Sequence, residues 1–285
     1  MSKLWTKTKL RNNIILWLIL LPIGLLWMYP LFWVVSAAFK DSRELFTSGA
    51  QLIPQDPQGL SNFKRAWTVA KFGQYFGNSV FYGIAAVLLA VFRSVLAGYV
   101  LARFKFPGRN LIIAVVASTV FIPLEISMIP EFRMLNWVDK NLFHILNTRW
   151  VVPLVQGAGG SLWVLLYIGA FRAIPNELFE AAEIDGANFW QRFRLMLPLV
   201  SSISATVIIF QFIHSWESLL KPLIYTLGAP KLRNLQAGLI AFQGENATDW
   251  VGMAAAIVIS ILPIFFLFLF LQKFFIRGLS GAVKS

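Results

Sequence analysis

Three acidic side chains lie close together in one short stretch, FEAAEIDGANFW, residues 179–190. Carboxylates so close together could exchange a proton, hold a metal ion or face a basic surface. Catalysis and metal binding also need other partners, and the chain has only two histidines, His144 and His214, and no cysteine. The sequence contains no Ser/His/Asp, paired-carboxylate or metal-spaced constellation. We therefore expect no catalytic, cofactor-binding or metal-binding residues.

The residues around these acids predict a short helix that ends in a bend. Pro175 and Asn176 are typical of a helix start, and Gly186 is typical of a helix end. Together they predict a helix over 177–185, with acids in its first turn, where the helix dipole favours them. So many charges indicate that the helix lies outside the membrane. We call the whole segment 172–194 the elbow.

A second helix is expected directly after the bend. Asn188 can cap it, and Gln191 follows three residues later, as in a capping box. On the first helix, Ala181 and Ala182 have almost no side-chain bulk, so another protein surface could come close to the backbone there. The alternative is an ordinary solvated loop helix without a partner.

The elements that carry the elbow are membrane spans. The chain is 58% hydrophobic, only 13% charged, and has a mean hydropathy of +0.68, whereas about a quarter of the residues of a soluble domain are charged. An all-α polytopic membrane protein is therefore predicted. Six stretches are long and apolar enough to cross a bilayer core, which takes about 20 helical residues: 13–39, 77–102, 111–129, 150–171, 195–216 and 250–271.

Basic residues predict the orientation of these spans. The first span follows Lys3, Lys7, Lys9 and Arg11 and ends without a small-residue cleavage site, which indicates a retained anchor with its N-terminus inside. Lys and Arg are densest near the span ends that an N-in, C-in topology places inside. The sequence pI of about 10.2 and the net charge of +12 are then mostly topological, and a nucleic-acid partner is not expected.

Ionisable side chains at membrane depth are the candidates for a substrate path or gate, because they are costly to bury. Arg93 lies in the second span, Glu125 in the third and Glu217 near the outer end of the fifth, and Asn78 at the start of the second span is a further candidate. Arg93 could pair with Glu125 or extend towards the interface. Glu125 could instead serve a gate or kink without touching substrate, and Glu217 could be interfacial.

Two other features of the apolar spans have simpler explanations. The GAGGS run at 157–161 lacks the lysine of a phosphate-binding loop, so close helix packing or a break in the helix is expected there. His214 is expected to be a hydrogen-bonded packing residue, with a proton relay as the alternative.

The sequence EAAEIDGA at 180–187, followed by Leu197 and Pro198, resembles the EAA loop of bacterial ABC importer permeases. The match lies at Glu180, Ala181, Ala182, Asp185 and Gly186. Further landmarks follow the family order: YPLFWVVSAAFK at 29–40, the segment 76–109, FIPLEISMIPEF at 121–132 and LQKFFIRGLSGAVKS at 271–285. This order resembles the second, maltose-type permease of carbohydrate importers.

The sequence departs from the family pattern in two places. The spacer from Gly186 to Pro198 is one residue shorter than the family form, which would rotate the entry into the next span by roughly 100°. HSWES at 214–218 stands where the family usually has Trp-Asn, so Glu217 replaces an amide.

This resemblance implies an inner-membrane permease of six spans. The elbow, between spans four and five, would then carry a short cytoplasmic coupling helix that docks on a separate ATPase. The chain has no G-x-x-x-x-G-K-[ST] motif, so ATP-Mg is expected on that partner and no cofactor on this chain. The implied partners are a second homologous permease, two ATPase subunits, an extracytoplasmic solute-binding protein, the lipid membrane and an oligosaccharide or related polyol as substrate. Localisation in the bacterial inner membrane follows.

The expected organisation is a single transmembrane domain over 1–285. Residues 1–74 form the first span and an outer connection, 75–275 the core bundle with the elbow, and 276–285 an inner tail.

One alternative function is a transporter driven by an ion gradient, with Glu125, Glu217 and His214 as relay residues. A membrane-embedded enzyme has the least support, because the sequence offers no catalytic constellation.

Overall fold

The computed structural model describes residues 2–47, 49, 51–69, 71–244 and 248–282, without the side chains of 2–13, 15, 69, 124, 125 and 273–282. Within these ranges the chain is helical, and the one β pairing is an isolated bridge between Gln243 and Thr248. The α-helices are α1 Ser2–Ala37, α2 Ser42–Thr47, α3 Ser61–Val69, α4 Phe72–Arg103, α5 Arg109–Thr119, α6 Leu124–Asn141, α7 Val151–Ala158, α8 Ser161–Ala173, α9 Asn176–Ile184, α10 Phe189–Met196, α11 Ser201–Glu217, α12 Leu220–Tyr225, α13 Leu235–Ile240 and α14 Trp250–Ala282. Two 3₁₀ turns, Leu197–Val200 and Pro230–Leu232, complete the order.

Among the residues that the structure describes, four helical stretches are long and apolar enough to cross a bilayer: Leu16–Ala37, Phe72–Arg103, Phe189–Glu217 and Trp250–Gln272. Helices α7 and α8 together are also long and apolar enough, although they are bent by 47° at the break between them. If this pair is one broken span, the described residues contain five spans. The prediction of an all-α membrane protein is confirmed at this level.

The third predicted span, 111–129, is not one helix, which corrects the sequence-based expectation. Helix α5 ends at Thr119, and α6 starts at Leu124. Pro123 explains the break, because it has no N–H for the helix ladder and disfavours helical backbone at the residue before it. The apolar helix is therefore only 11 residues long at this point.

The fourth predicted span, 150–171, is broken where the GAGGS run suggested. Helix α7 ends at Ala158, Gly159 is extended, and Gly160 has a φ of 81°, in the left-handed region. A Cβ on Gly160 would collide with the indole of Trp163. Glycine adopts this backbone without strain and leaves space for the ring, which explains the break at this position.

The chain divides into two compact units. The described parts of 1–70 and 241–259 form the first unit, and those of 71–240 and 260–285 form the second. In the first unit, the connection after α1 is held by buried polar side chains. Lys40 Nζ donates to the Gln51 carbonyl at 2.6 Å, and the Glu44 carboxylate accepts backbone N–H bonds from Gln55 and Asp56 at 2.7 and 3.2 Å.

Helix α4 is the centre of the second unit and packs on α7, α8 and α11. Small residues bring the helices close together. A Cβ on Gly83 would lie 2.7 Å from the Phe212 ring, and one on Gly98 would collide with Tyr167. Gly157 of α7 approaches Leu89 of α4 in the same way, since a Cβ there would lie 2.6 Å from the Leu89 Cβ. Close helix approach through small residues is typical of packing in membranes.

Candidate functional site

The elbow forms the helix–bend–helix that the sequence predicts, with the first helix one residue earlier than expected. Helix α9 spans Asn176–Ile184. Gly186 has a φ of 76°, and its N–H donates to the Glu183 carbonyl, while the Ala187 N–H donates to the Ala182 carbonyl at 2.9 Å. These two bonds are the Schellman pattern that closes a helix through a left-handed residue.

The second helix of the elbow starts with a complete capping box. The Asn188 side chain accepts from the Gln191 N–H at 3.0 Å, and the Gln191 side chain accepts from the Asn188 N–H at 2.7 Å. Helix α10 then continues through the 3₁₀ turn Leu197–Val200 into α11. The two ends that meet at the bend are therefore both closed by hydrogen bonds, which makes the bend rigid.

Aromatic rings join the elbow to the end of α4. The Tyr99 ring lies 5.4 Å from Phe189 and 5.2 Å from Phe193, and the Phe104 ring lies 6.0 Å from Phe179. Tyr99 is fully buried. The elbow and α4 consequently share one aromatic cluster, which the sequence did not reveal because its members are far apart along the chain.

Two arginines flank the Phe179 ring in this cluster. Arg103 lies 5.8 Å from its centre and donates to Asn176 Oδ1 at 2.8 Å and to the Ile174 carbonyl at 2.6 Å. Arg192 lies 4.8 Å from the same centre. Cation–π contacts of this kind stabilise a site by about 0.5–2 kcal/mol each.

The outer face of the elbow carries both charge and exposed apolar side chains. Glu180, Ala181, Asp185 and Gly186 are exposed, whereas Ala182 is buried at 7% exposure, so only Ala181 of the two alanines is accessible. Ile184 is 86% exposed and Trp190 is 60% exposed, with Leu178 at 38%. An acidic rim around exposed apolar side chains is suited to bind another protein.

A cavity of about 420 Å³ lies at the break between α7 and α8 in the second unit. Its lining comes from the end of α5, from both sides of the break and from α11 and α12. The residues are Thr119, Val120, Ile122, Val155, Gln156, Gly159, Gly160, Ser161, Leu162, Trp163, Phe210, Gln211, Ile213, His214, Glu217 and Lys221. Its volume is within the range of about 300–1,000 Å³ that is typical of ligand pockets.

Buried polar groups that the sequence analysis missed line this cavity. The Trp163 indole N–H donates to Gln211 Oε1 at 2.8 Å, Gln211 Nε2 donates to the Gln156 carbonyl at 3.2 Å, and Ser215 Oγ donates to Gln156 Oε1 at 2.5 Å. The two glutamines are separated by 55 residues. An uncharged side chain in an apolar run gives no signal of its own, so only the folded structure brings these groups together.

The four candidates for a substrate path fall into different environments. Arg93 lies beside the break, where its guanidinium donates to the carbonyls of Gly159 and Gly160, and lines a second cavity there. Glu217 is exposed and lines the 420 Å³ cavity with His214. Asn78 is buried and donates to the carbonyls of Lys231 and Arg233 at 2.8 and 2.9 Å.

Helix α6 is tied to α12 next to the cavity. Lys221 Nζ lies 3.1 Å from Glu131 Oε2, and the Tyr225 hydroxyl donates to Glu131 Oε1 at 2.9 Å. Burial, followed by this bond to the carboxylate, raises the pKa of Tyr225 above its ordinary value.

The side chain of Glu125 lies outside the described residues, so its predicted pairing with Arg93 stays a prediction.

The apolar helices and the elbow between two of them define a multi-pass membrane protein. Residues 94–281, the larger part of the chain, match the family described as binding-protein-dependent transport system inner membrane component. The chain belongs to this family and is a multi-pass inner-membrane protein, specifically an ABC transporter permease, as the EAA resemblance predicted.

Similar proteins with known names extend over almost the whole chain. The melibiose/raffinose/stachyose import permease MelC of Bacillus subtilis is 36% identical over 261 residues, which cover 90% of this chain and 91% of MelC. The diacetylchitobiose uptake permease NgcG of Streptomyces coelicolor is 31% identical over 276 residues, 95% of this chain and 85% of NgcG. The arabinooligosaccharide permease AraQ of Halalkalibacterium halodurans is 33% identical over 268 residues, 92% of this chain and 93% of AraQ.

A solved structure shares the fold. It is a chain of a bacterial ABC transporter involved in the import of the acidic polysaccharide alginate, with a TM-score of 0.80 and 22% sequence identity. The alignment covers 94% of this chain and 98% of that one. At this level of identity the likeness concerns the fold alone.

Proposed function

We propose that this chain is a permease subunit of an ATP-driven importer for an oligosaccharide or a related sugar or polyol. The named relatives support the substrate class, because MelC, NgcG and AraQ are permeases for oligosaccharides. Transport proceeds by alternating access, in which the membrane helices open to one side of the bilayer at a time.

The proposed topology has six spans with both termini inside. The third span is the short apolar helix Arg109–Thr119 with the turn that follows it, and α7 with α8 is the fourth. Residues 1–74 then form the first span and an outer connection, 75–275 the core bundle and 276–285 an inner tail. The density of Lys and Arg near the inner span ends supports this orientation.

The observation that carries the proposed mechanism is the geometry of the elbow. Its exposed face, with Glu180, Asp185, Ile184 and Trp190, is available to a partner, and its inner face is packed on the aromatic cluster at the end of α4. A pull on this rigid helix–bend–helix moves α4 and the span that starts with α10. The elbow therefore acts as the coupling helix between a separate ATPase and the permease.

The complete importer contains further subunits. Two ATPase subunits bind ATP-Mg, and one of them docks on the elbow of this chain. A second homologous permease completes the path, and an extracytoplasmic binding protein delivers the sugar. This chain itself binds no nucleotide. The family description supports a binding-protein partner, because it names a binding-protein-dependent transport system.

Uptake in vesicles tests this function. The assembled importer is reconstituted into proteoliposomes, and accumulation of raffinose and arabinotriose is measured with ATP supplied to the ATPase side. We expect accumulation that needs ATP and survives a protonophore. Accumulation that persists without ATP and collapses with the protonophore would instead establish a transporter driven by an ion gradient.

A further inference from the structure

A small basic cavity lies at the turn between α4 and α5, where the apolar stretch Phe72–Arg103 ends. Its volume is about 350 Å³, and its lining consists of Lys105, Phe106, Gly108, Arg109, Asn110 and Leu111. Two of these residues are cations and none is an acid. The sequence has no Asp or Glu between Asp56 and Glu125, so the two charges are not balanced within this stretch of the chain.

The turn that builds the cavity follows from the sequence FPGR at 106–109. Proline and glycine are the residues that a type II turn favours at its two central positions. Gly108 has a φ of 80° and a ψ of −5°, and the Arg109 N–H donates to the Phe106 carbonyl at 3.3 Å. The turn therefore places Lys105 directly before it and Arg109 at its end, both in the lining of one cavity.

Arg109 is held in place by the end of α4. Its Nε donates to the Leu101 carbonyl at 2.8 Å, and its Nη2 donates to the Ala102 carbonyl at 3.2 Å. Carbonyls in the last turn of a helix have no partner within the helix and favour a cation. The third nitrogen, Nη1, makes no hydrogen bond to the residues that the structure describes. The guanidinium is thus fixed and keeps one donor group for a ligand.

Lys105 is the second cation of the cavity. It is exposed, and no described residue forms a hydrogen bond or an ion pair with it. Arg103, by contrast, is bound to Asn176 and to the Ile174 carbonyl in the elbow. The charges of the cavity are therefore separate from those that hold the elbow. Basic residues at the end of a span also set its orientation, but an orienting charge needs no cavity around it.

Helix α5 presents an apolar face next to the cavity. Its opposite face, with Ile113 and Val116, packs on α4 and α8, whereas Leu111, Ile112 and Val115 are 70%, 45% and 54% exposed. Leu111 belongs to the cavity lining as well. The exposed apolar side chains thus continue from the basic cavity along the helix.

An anionic phospholipid has the chemistry that both features require. Its phosphate matches the two cations, and its acyl chain matches the exposed face of α5. Basic pockets at the membrane boundary bind anionic lipid head groups, and each Lys or Arg near the surface attracts them. A protein partner fits this place less well, because lysine is depleted in protein–protein interfaces.

We propose that the turn at 105–111 is a binding site for one anionic phospholipid. The Lys105 ammonium and the Arg109 Nη1 donate to the phosphate oxygens, and Leu111, Ile112 and Val115 pack along an acyl chain. In the proposed topology the site lies in the inner leaflet. It goes beyond the proposed function, because sugar uptake does not itself require a particular lipid.

Thiol protection tests the site. The chain has no cysteine, so Asn110→Cys gives it a single thiol in the cavity lining, and Asn141→Cys, exposed at the end of α6, is the matched control. The full importer is placed in nanodiscs of phosphatidylcholine with or without about one-fifth phosphatidylglycerol. The thiol of this chain is modified with N-ethylmaleimide, which is uncharged. We expect phosphatidylglycerol to slow modification of Asn110→Cys about 5-fold and to leave Asn141→Cys unchanged.

Lys105→Gln in the Asn110→Cys background shows whether the ammonium binds the lipid. We expect an unchanged rate in phosphatidylcholine alone, which reports that the turn still forms, and the loss of most of the protection by phosphatidylglycerol. Lys105→Arg keeps the charge and should keep the protection, as should Lys140→Gln, an exposed lysine of α6 outside the cavity. Protection that survives Lys105→Gln, or that Lys140→Gln removes equally, would overturn the proposal.

A free anion and a protein partner give different results in the same assay. Protection of Asn110→Cys by glycerol phosphate or inorganic phosphate in phosphatidylcholine alone would establish a site for a soluble anion and overturn the lipid site. A rate that is equally slow in both lipid mixtures would show that another subunit covers the turn, which also overturns it. Slower modification with phosphatidylglycerol, without any effect of the soluble phosphates, is the result that the proposal predicts.

Discussion

Arg192 reaches back across the Gly186 bend to Glu183, with Nη1 3.2 Å from Oε1, while its guanidinium lies 4.8 Å from the centre of the Phe179 ring. The Arg192 side chain is 14% exposed, whereas that of Glu183 is 61% exposed. An ion pair with so exposed a partner contributes little, so most of the stabilisation comes from ring contact and burial. One side chain thus holds the two helices of the elbow at a fixed angle.

Arg192→Met is expected to loosen the elbow without unfolding the spans. Methionine keeps an apolar stem but loses the cation–π contacts, which we expect to cost about 0.5–2 kcal/mol locally. Amide hydrogen exchange over 176–184 should become faster by the corresponding factor of about 2–30. Glu183→Gln, which removes only the exposed partner, should change exchange little; an equal effect of both variants would mean that the ion pair dominates.

The bend itself depends on the left-handed backbone of Gly186. A β-branched residue is strained at a φ of 76°, so Gly186→Val should cost about 1–2 kcal/mol and distort the bend. Gly186→Asn should be tolerated better, because asparagine adopts this conformation more readily. ATP-driven uptake at equal expression should fall much more for Val than for Asn. Equal activity of the two variants would show that the bend has no role in coupling.

Helix packing around α4 predicts a sharp difference between two glycines. A methyl group on Gly98 would collide with Tyr167 of α8, whereas one on Gly77 would meet nothing within 4 Å. Gly98→Ala should therefore lower stability by about 1–3 kcal/mol. Thermal unfolding in detergent should show a lower Tm for Gly98→Ala and an equal or slightly higher Tm for Gly77→Ala, because alanine is the better helix former. Similar values of Tm would contradict the close packing of α4 on α8.

The hydrogen bond from Tyr225 of α12 to Glu131 of α6 predicts that the stability of the fold depends on pH. The folded-state pKa of Tyr225 is raised, mainly by burial and then by Glu131, above the ordinary value of about 10. The stability that its protonated hydroxyl contributes is therefore complete below about pH 10 and is lost as the pH rises through the folded pKa. The absorbance difference between wild type and Tyr225→Phe should show no ionisation step at pH 10. A step there would contradict the buried hydrogen bond.

Local signals in the sequence were enough for the elbow but not for the cavity. The bend follows from Gly186, Asn188 and Gln191, which lie within six positions of one another and whose roles depend on neighbouring backbone. The broken third span was not predicted, because the apolar run through Pro123 hid the effect of the proline. The bonds from Arg93 to the carbonyls of Gly159 and Gly160 were not predicted either, because backbone carbonyls carry no signal in a sequence.

The central claim is that the elbow couples ATP hydrolysis to transport, and Glu180→Lys tests it most directly. Glu180 is exposed on α9, so a lysine there reverses the charge at this position of the elbow without disturbing the core. Asp56→Lys, an exposed acid in the other unit, is the matched control.

The measurement is the ratio of sugar accumulated to ATP hydrolysed in proteoliposomes with equal amounts of inserted protein. We predict that Glu180→Lys lowers this ratio at least about tenfold, a coupling loss of about 1.4 kcal/mol, and that Asp56→Lys leaves it unchanged. An unchanged ratio for Glu180→Lys would contradict the coupling role of the elbow.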